Sequence, residues 1–535
     1  MNATEHSNLT DILSTLIIAL LSSLWAMTLQ AQANYVAFEL ESKNNWEQQL
    51  VLKDLNGDGR KDIVHADYQP GIGRELHIFH QQVDGSFANT PQRIEVKTEI
   101  IAIAFADLRQ QPGLELVLYS NAGVFSLSSV IEGYSGNIKQ LVEWELIAAV
   151  PSLEHVHFMP DLQDINNDGE VDLLLPGDNI YGFFKGKGNE TFELASTFST
   201  SNENMQFGWQ RQESTDLNTR ISINAEEGVV IELSAGGDSY YDGFIEQWNA
   251  DKDRKARQPK SLLRTESWMF TAVLARLNAD ELVDIAYINI GPDGLGQLNI
   301  HFQSAETGFA EQANWTGSLN TSGDIRLVDM NNDQQLDLLR LDGEDNDTSA
   351  YLFRNENGRF DLDKPNQIMR FSGYDVQLNI IPITKGSSPL LNVSYYTIPV
   401  VDAVRNASIN RSQLLYDSDN VETGQFFNKQ PSSKLDESFS AANVRALSEQ
   451  MSLHYDIDAD GRNDALYITE NGTLAAKHIA TSLSIEEQAF WEYVSERNVF
   501  EFEVLHLNQD PQPDLLLRHG TATTILVASP PAASK

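Results

Sequence analysis

A nine-residue acidic turn recurs seven times in one frame along the chain. Three copies are complete: Asp54-Leu-Asn-Gly-Asp-Gly-Arg-Lys-Asp62, Asp164-Ile-Asn-Asn-Asp-Gly-Glu-Val-Asp172 and Asp456-Ile-Asp-Ala-Asp-Gly-Arg-Asn-Asp464. A fourth, Asp329-Met-Asn-Asn-Asp-Gln-Gln-Leu-Asp337, lacks the glycine, and worn copies run from Asp107 to Glu115, Arg276 to Asp284 and His506 to Asp514. A repeat of this length means one supersecondary unit that cannot bury its own faces and must stack on its neighbours.

Short runs of period two flank each turn, as in Ile325-Arg-Leu-Val-Asp329 and Ser452-Leu-His-Tyr-Asp456, which predicts a β-hairpin around an elaborated loop. Two further strand-like segments follow each hairpin. In the first unit they are Glu75–Phe79 and Arg93–Val96, separated by Asp84-Gly85. Four antiparallel strands repeated in tandem are propeller blades, so the expected fold class is all-β, a single β-propeller. Turn starts at 54, 107, 164, 276, 329, 456 and 506 leave two double-length gaps. Arg220–Asn224 with Val229–Leu233, and Gln377–Ile381 with Leu390–Val393, are the candidate hidden units. Counting both gives nine blades; eight is the expected number, with seven and nine as alternatives. The last unit stops one strand short, while Tyr35–Leu40 precedes the first hairpin without a partner. Pairing the two would close the ring and remove an open edge. Residues 405–443, rich in Asn, Ser, Asp and Gln, are expected to form a long exposed loop, and Asp251–Arg257 a shorter charged excursion.

The acids stand at positions 1, 3, 5 and 9 of the turn. Alternate side chains converge, a backbone carbonyl at position 7 and water complete the shell, and an all-oxygen set suits a hard cation such as Ca²⁺. Gly59, Gly169 and Gly461 at position 6 permit the chain reversal. With no imidazole or thiolate in the pattern, a transition metal is not expected.

The pattern Asp-x-Asp/Asn-x-Asp-Gly-x-x-Asp resembles the loop of the FG-GAP/VCBS repeat family, the calcium-binding propellers of the integrin α-subunit type, and the resemblance covers nearly all of residues 34–535. It implies calcium on one rim of the ring. Carried over by position, the ligands are Asp54, Asn56, Asp58, the Arg60 carbonyl and Asp62; Asp164, Asn166, Asp168, the Glu170 carbonyl and Asp172; and Asp456, Asp458, Asp460, the Arg462 carbonyl and Asp464. The glycine-free copy adds Asp329, Asn331, Asp333, the Gln335 carbonyl and Asp337, with Gln334 in a strained place. The worn copies, with Arg109, Arg276 or Pro511 at key positions, are expected to hold no ion.

The chain carries 77 acidic against 37 basic residues, a net charge of −40. Nucleic acid and anionic membrane surfaces are thereby excluded as partners. The absence of cysteine removes disulfides, thiolate zinc sites and cysteine nucleophiles. Residues 1–33 are expected to be an export signal: an apolar run from Ile12 to Leu29 precedes the small-x-small sequence Ala31-Gln32-Ala33. No Lys or Arg precedes the run, which leaves retention as an anchor open. The expected location is secreted, periplasmic or cell-surface, as a monomer with no membrane span after cleavage.

The chain has no nucleophile elbow, phosphate loop or His-Glu-x-x-His. His155 and His157 share a strand face, but a third ligand is missing. His77 and His80 fall on opposite faces. Trp209, Trp248, Trp268 and Trp315 are read as core residues ahead of sugar platforms. The expected function is therefore a non-catalytic calcium-binding module for an extracellular protein or glycan, of adhesion or interaction type. The alternative is a calcium-dependent polysaccharide lyase or related carbohydrate enzyme.

Overall fold

The computed structural model describes residues 34–41, 50–69, 71–129, 132–146, 156–159, 161–177, 180–199, 219–224, 228–234, 273–280, 282–290, 295–320, 324–344, 347–384, 387–397, 408–418, 424–440, 451–508, 510–519 and 522–529. They form an all-β propeller of eight blades. Blade 1 comprises strands Leu50–Lys53, Asp62–Gln69, Gly73–Phe79 and Gln92–Val96, paired in chain order. Blade 2 runs from Ile100–Ala106 through Glu115–Ser120 and Gly123–Leu127 to Lys139–Glu143. Blade 3 holds Leu173–Gly177, Ile180–Gly186 and Phe192–Ser199. The short strand before it, His157–Phe158, pairs in parallel with the first strand of blade 2.

Blade 4 comprises Val273–Ala275, Asp284–Ile290, Leu295–His301 and Trp315–Asn320. Blade 5 comprises Asp324–Val328, Asp337–Glu344, Asp347–Phe353 and Gln367–Ser372. In blade 6, Tyr374–Ile381, Leu390–Thr397, Ser408–Tyr416 and Ser433–Ser440 pair in order. Blade 7 holds Ser452–Tyr455, Asp464–Ile468, Leu474–His478 and Trp491–Tyr493.

Blade 8 closes the ring. Glu501–Leu505, Asp514–Arg518 and Ala522–Ser529 come from the end of the chain, and the fourth strand is Asn34–Glu41 from its beginning. Register runs from Asn34 opposite Ser529 to Glu41 opposite Ala522. The otherwise unpartnered early strand thus satisfies its backbone on the edge that the last unit leaves open.

The packing shows why the second strand of a blade is apolar at consecutive positions. Such a strand is covered on both faces, so neighbouring residues face different seams. Ile63 enters the seam between blades 8 and 1, and Val64 the seam between blades 1 and 2. Leu515 and Leu517 face blade 7, while Leu516 faces blade 1. Each of the remaining seams is likewise filled by one cluster. Leu108 meets Leu173 between blades 2 and 3, and Phe183 meets Phe309 between blades 3 and 4. Leu298 meets Leu338 between blades 4 and 5, and Leu352 meets Val393 between blades 5 and 6. Ile381 meets Leu453 between blades 6 and 7.

Two sequence expectations change. Of the two candidate hidden units, Gln377–Ile381 with Leu390–Val393 belongs to a true blade, the sixth. Thr219–Asn224 and Gly228–Ser234 instead form a hairpin whose second strand pairs with Asp324–Val328 of blade 5, so they make no ninth blade. Within the stretch 405–443, expected to be a long exposed loop, Ser408–Tyr416 and Ser433–Ser440 are the third and fourth strands of blade 6. Their polarity has two causes. The strand Ser433–Ser440 is outermost and alternates between half-buried and exposed positions from Ser433 to Ser438 before the buried Phe439. Inside the blade, polar groups are paired: Arg411 lies 2.7 Å from Glu437 and over the Phe439 ring.

Candidate metal centres

Every one of the seven turns hangs on the acid at position 9. Asp62, Glu115, Asp172, Asp284, Asp337, Asp464 and Asp514 are all buried. One carboxylate oxygen accepts from the backbone N–H of position 2: Leu55, Leu108, Ile165, Leu277, Met330, Ile457 or Leu507, at 2.5 to 3.3 Å. The other oxygen faces the neighbouring hairpin. It accepts from the N–H of Gln81, Gly186, Gln303, Asn355 or Ala528, from the Ser129 hydroxyl in blade 2, or meets His478 in blade 7. Hydrogen bonds from N–H groups to an ionised carboxylate are strong ones. Position 9 is therefore a latch in every blade with this turn; the worn copies keep it although those from Arg276 and His506 lack the position-1 acid and that from Asp107 carries Arg109 and Gln111 at positions 3 and 5.

Burial pushes Asp172, Asp284 and Asp514 up to about 6 and Asp337 up to about 7, against the opposing pull of the backbone donors. Asp464 is raised for the same first reason. In a buried position a carboxylate resists ionisation, and a divalent cation beside it favours the charged form.

Positions 1, 3 and 5 repeat one geometry in the four fuller loops. The position-1 acids Asp54, Asp164, Asp329 and Asp456 accept from the N–H of position 5 through one oxygen and of position 6 through the other. Asn56, Asn166, Asn331 and Asp458 at position 3 accept from the N–H of position 5. Asp58, Asp168, Asp333 and Asp460 accept from position 7, the residues Arg60, Glu170, Gln335 and Arg462. Each oxygen keeps lone-pair capacity beyond these bonds, so the sets from Asp54, Asp164, Asp329 and Asp456 fit a hard cation.

The loops require left-handed backbone twice. At position 6, Gly59, Gly169 and Gly461 have φ of 83°, 92° and 92°, and Gln334 is held at 68°. At position 4, Gly57, Asn167, Asn332 and Ala459 lie between 57° and 73°. The second requirement is hidden in the sequence pattern, where position 4 reads as unrestricted.

Side chains around the loops make them unequal. In blade 1 the Arg60 guanidinium pairs with Asp58, so one acid already has a cation. The register-equivalent Arg462 turns away, donating to the carbonyls of Ile479 and Ala480 at 2.6 and 2.7 Å. In the Asp456 loop the position-7 guanidinium therefore leaves the acids unpaired by it. Oxygens of Asp456, Asp458 and Asp464 lie within 4.8 Å of one another, as do ligand atoms of Asp458, Asp460 and His478. An imidazole that the sequence pattern does not include thus stands beside these acids. His478 pairs with Asp464 across the hairpin, its Nδ1 3.3 Å from Oδ1, and its ring lies flat on Phe490 at 4.0 Å. His80 stands likewise in blade 1, its Nδ1 3.0 Å from Asp62, and that contact raises its pKa. Strand register brings both rings in, a signal visible only once the third strand is aligned with position 9.

In blade 2 Arg109 stands at position 3, but its guanidinium reaches Ser128 at 2.8 Å and Glu190 of blade 3 at 2.6 Å. In blade 4 Arg276 is exposed. Trp315 packs into the seam of blades 4 and 5, edge-on to Phe360. His157 is half-buried, and burial lowers its pKa. His77 lies 3.1 Å from Glu75. Residues 1–33, His155, Trp209, Trp248, Asp251–Arg257 and Trp268 lie outside the described residues. Among the described residues no helix is long and apolar enough to cross a membrane.

No family model matches the chain, and no curated protein matches it. A solved structure described as the specific recognition of non-reducing terminal N-acetylglucosamine by an Agrocybe aegerita lectin is 14% identical, covering 61% of this chain and 80% of that one, with a TM-score of 0.26.

Proposed function

We propose that the ring is a calcium-binding recognition module of FG-GAP/VCBS type that works outside the cytoplasm and holds a protein or glycan without chemically changing it. The observation that carries this reading is the repetition of one donor arrangement in four loops, from Asp54, Asp164, Asp329 and Asp456. The loops from Asp54, Asp329 and Asp456 join the first and second strands of their blades, and the Asp164 loop leads from His157–Phe158 into Leu173–Gly177 of blade 3; each runs into the strand at its position-9 acid, on one rim. Four divalent ions there would rigidify the rim and offset part of the −40 net charge, so that an uncharged or cationic partner can approach.

Calcium acts in this reading by binding the folded loops and not the unfolded chain, which raises stability by mass action. Calorimetric titration of metal-free protein tests it. Four calcium ions per chain, with ligand capture lost on chelation, are the expected outcome. Heatless titration with unchanged melting would remove calcium from the account.

A further inference from the structure

Of the four fuller loops, the one in blade 7 has an acid at position 3, Asp458, where the others have asparagine. His478 reaches it from the third strand, in register with Asp464. The imidazole Nδ1 stands 3.3 Å from Asp464 Oδ1 and 4.0 Å from Asp458 Oδ2. Ligand atoms of Asp458, Asp460 and His478 all lie within 4.8 Å of one another. Phe490 fixes the plane of the imidazole, stacked at 4.0 Å with 8° between the rings. The cluster opens to solvent, for Asp460 is exposed and the His478 side chain is 30% exposed. Arg462, the nearby cation on the loop itself, is bound instead to the carbonyls of Ile479 and Ala480. Among the described residues, no other blade gathers three His, Asp or Glu side chains this closely. Blade 1 also brings a histidine to its latch acid, His80, but there Arg60 already pairs with Asp58.

We propose that the blade 7 loop is a mixed nitrogen–oxygen site for a first-row transition ion of the zinc type, with His478 Nδ1, Asp458 and Asp460 as protein ligands. The proposal rests on the reading of the loops as metal sites and names a different ion for one of them. Zinc holds imidazole nitrogen and carboxylate oxygen at about 2.0–2.2 Å, so its ligand atoms stand at most about 4.4 Å apart. The separations of 3.3 and 4.0 Å around His478 fall inside that span. Imidazole favours ions of the zinc type, whereas calcium is held by oxygen alone. His478 therefore adds affinity for the first and none for the second. Converging carboxylates repel one another, and either cation relieves that repulsion. Calcium thus fills this loop where no transition ion competes. At the same register the loops from Asp164 and Asp329 meet the backbone N–H of Gly186 and Asn355 instead of an imidazole, so they stay all-oxygen sites.

The test is a calorimetric titration of the full chain with zinc in saturating calcium, joined to anomalous scattering at the zinc edge. One zinc ion per chain should bind, displace one calcium ion and lie between His478 and Asp458. His478→Phe keeps a ring against Phe490 but supplies no nitrogen. It should weaken zinc by about tenfold or more, since even an outer-shell partner is worth that much to a metal site. Its calcium affinity should stay near wild type, which also shows the loop to be folded. His80→Phe in blade 1 should leave zinc binding unchanged. Should His478→Phe lose both ions, His478→Ala makes the same comparison without the bulk. Equal zinc affinity in wild type and the His478 variants would overturn the proposal while leaving the calcium loops in place. Zinc found only away from His478, or bound without displacing calcium, would overturn it too. Zinc held through His478 in a chain that takes up no calcium would uphold it and remove calcium from the account instead.

Discussion

Arg109 of blade 2 and Glu190 of blade 3 meet at 2.6 Å across their seam, and the Glu190 side chain is 3% exposed. Ser126 and Lys139 of blade 2 converge on the same carboxylate, at 2.6 and 3.2 Å. These bonds hold Glu190 ionised despite its burial, its pKa lying below the usual value. The cation at position 3 of the blade 2 turn is thus an inter-blade clamp. A double-mutant cycle of Arg109→Met and Glu190→Gln, read by denaturant unfolding, should give a coupling of about 1–3 kcal/mol. Additive effects would mean that the two side chains stabilise the seam independently.

Gln334 sits at φ 68° where the other three fuller loops have glycine. Gln334→Gly removes a left-handed penalty of about 1 kcal/mol and should both raise the melting temperature and tighten calcium at the Asp329 loop. Ala459→Gly, at φ 58° in the Asp456 loop, should act in the same direction. Destabilisation by both variants would show that the backbone there is not strained.

Arg60 and Arg462 occupy the same loop position with opposite effects on their neighbours. Arg60→Gln frees Asp58 from its ion pair and should tighten calcium at the Asp54 loop by several-fold, whereas Arg462→Gln should leave the affinity of the Asp456 loop near wild type. Calorimetry on each variant separates the two. Equal responses would mean that the Asp58 pairing does not compete with metal.

The latch acids of worn loops set a pH dependence that needs no metal. Asp284 and Asp514 have folded pKa values of about 6, raised by burial. For a carboxylate raised in the folded state, the protonated form favours folding. Its contribution is full below the unfolded value and disappears as pH rises through the folded one. In calcium-free buffer, where Asp172 and Asp337 add to them, the melting temperature should therefore fall between about pH 4 and pH 7. The slope should flatten in Asp284→Asn and Asp514→Asn. A melting temperature that climbs through this window would contradict the assignment.

The local part of the design is legible in the sequence. The turns carry their own ligand spacing and reversal glycines, and the orphan strand Tyr35–Leu40 announces ring closure. What needs long-range register is not. His80 and His478 reach their loops only through strand pairing, opposite or beside Asp62 and Asp464. Position 9 looks like one more ligand, yet its two hydrogen bonds run to a position-2 amide and to another hairpin. Blade 6 has no acidic turn, and its outer strands are polar because one is solvated and the other pairs its polar groups inside the sheet. Composition alone therefore reads that stretch as a loop.

The central claim is that donor chemistry, position by position, decides which blades hold calcium. Anomalous scattering from crystals grown at limiting and then saturating calcium measures this site by site. The expected result is ions in four loops: fullest at Asp456, with four acids and Arg462 turned away; next at Asp164; then at Asp54, where Arg60 competes; and weakest at Asp329, which lacks glycine. The loops at Arg109, Arg276 and Pro511 should hold no ion at any concentration. An ion beside Arg276, or an empty Asp456 loop beside a full Asp329 loop, would contradict it.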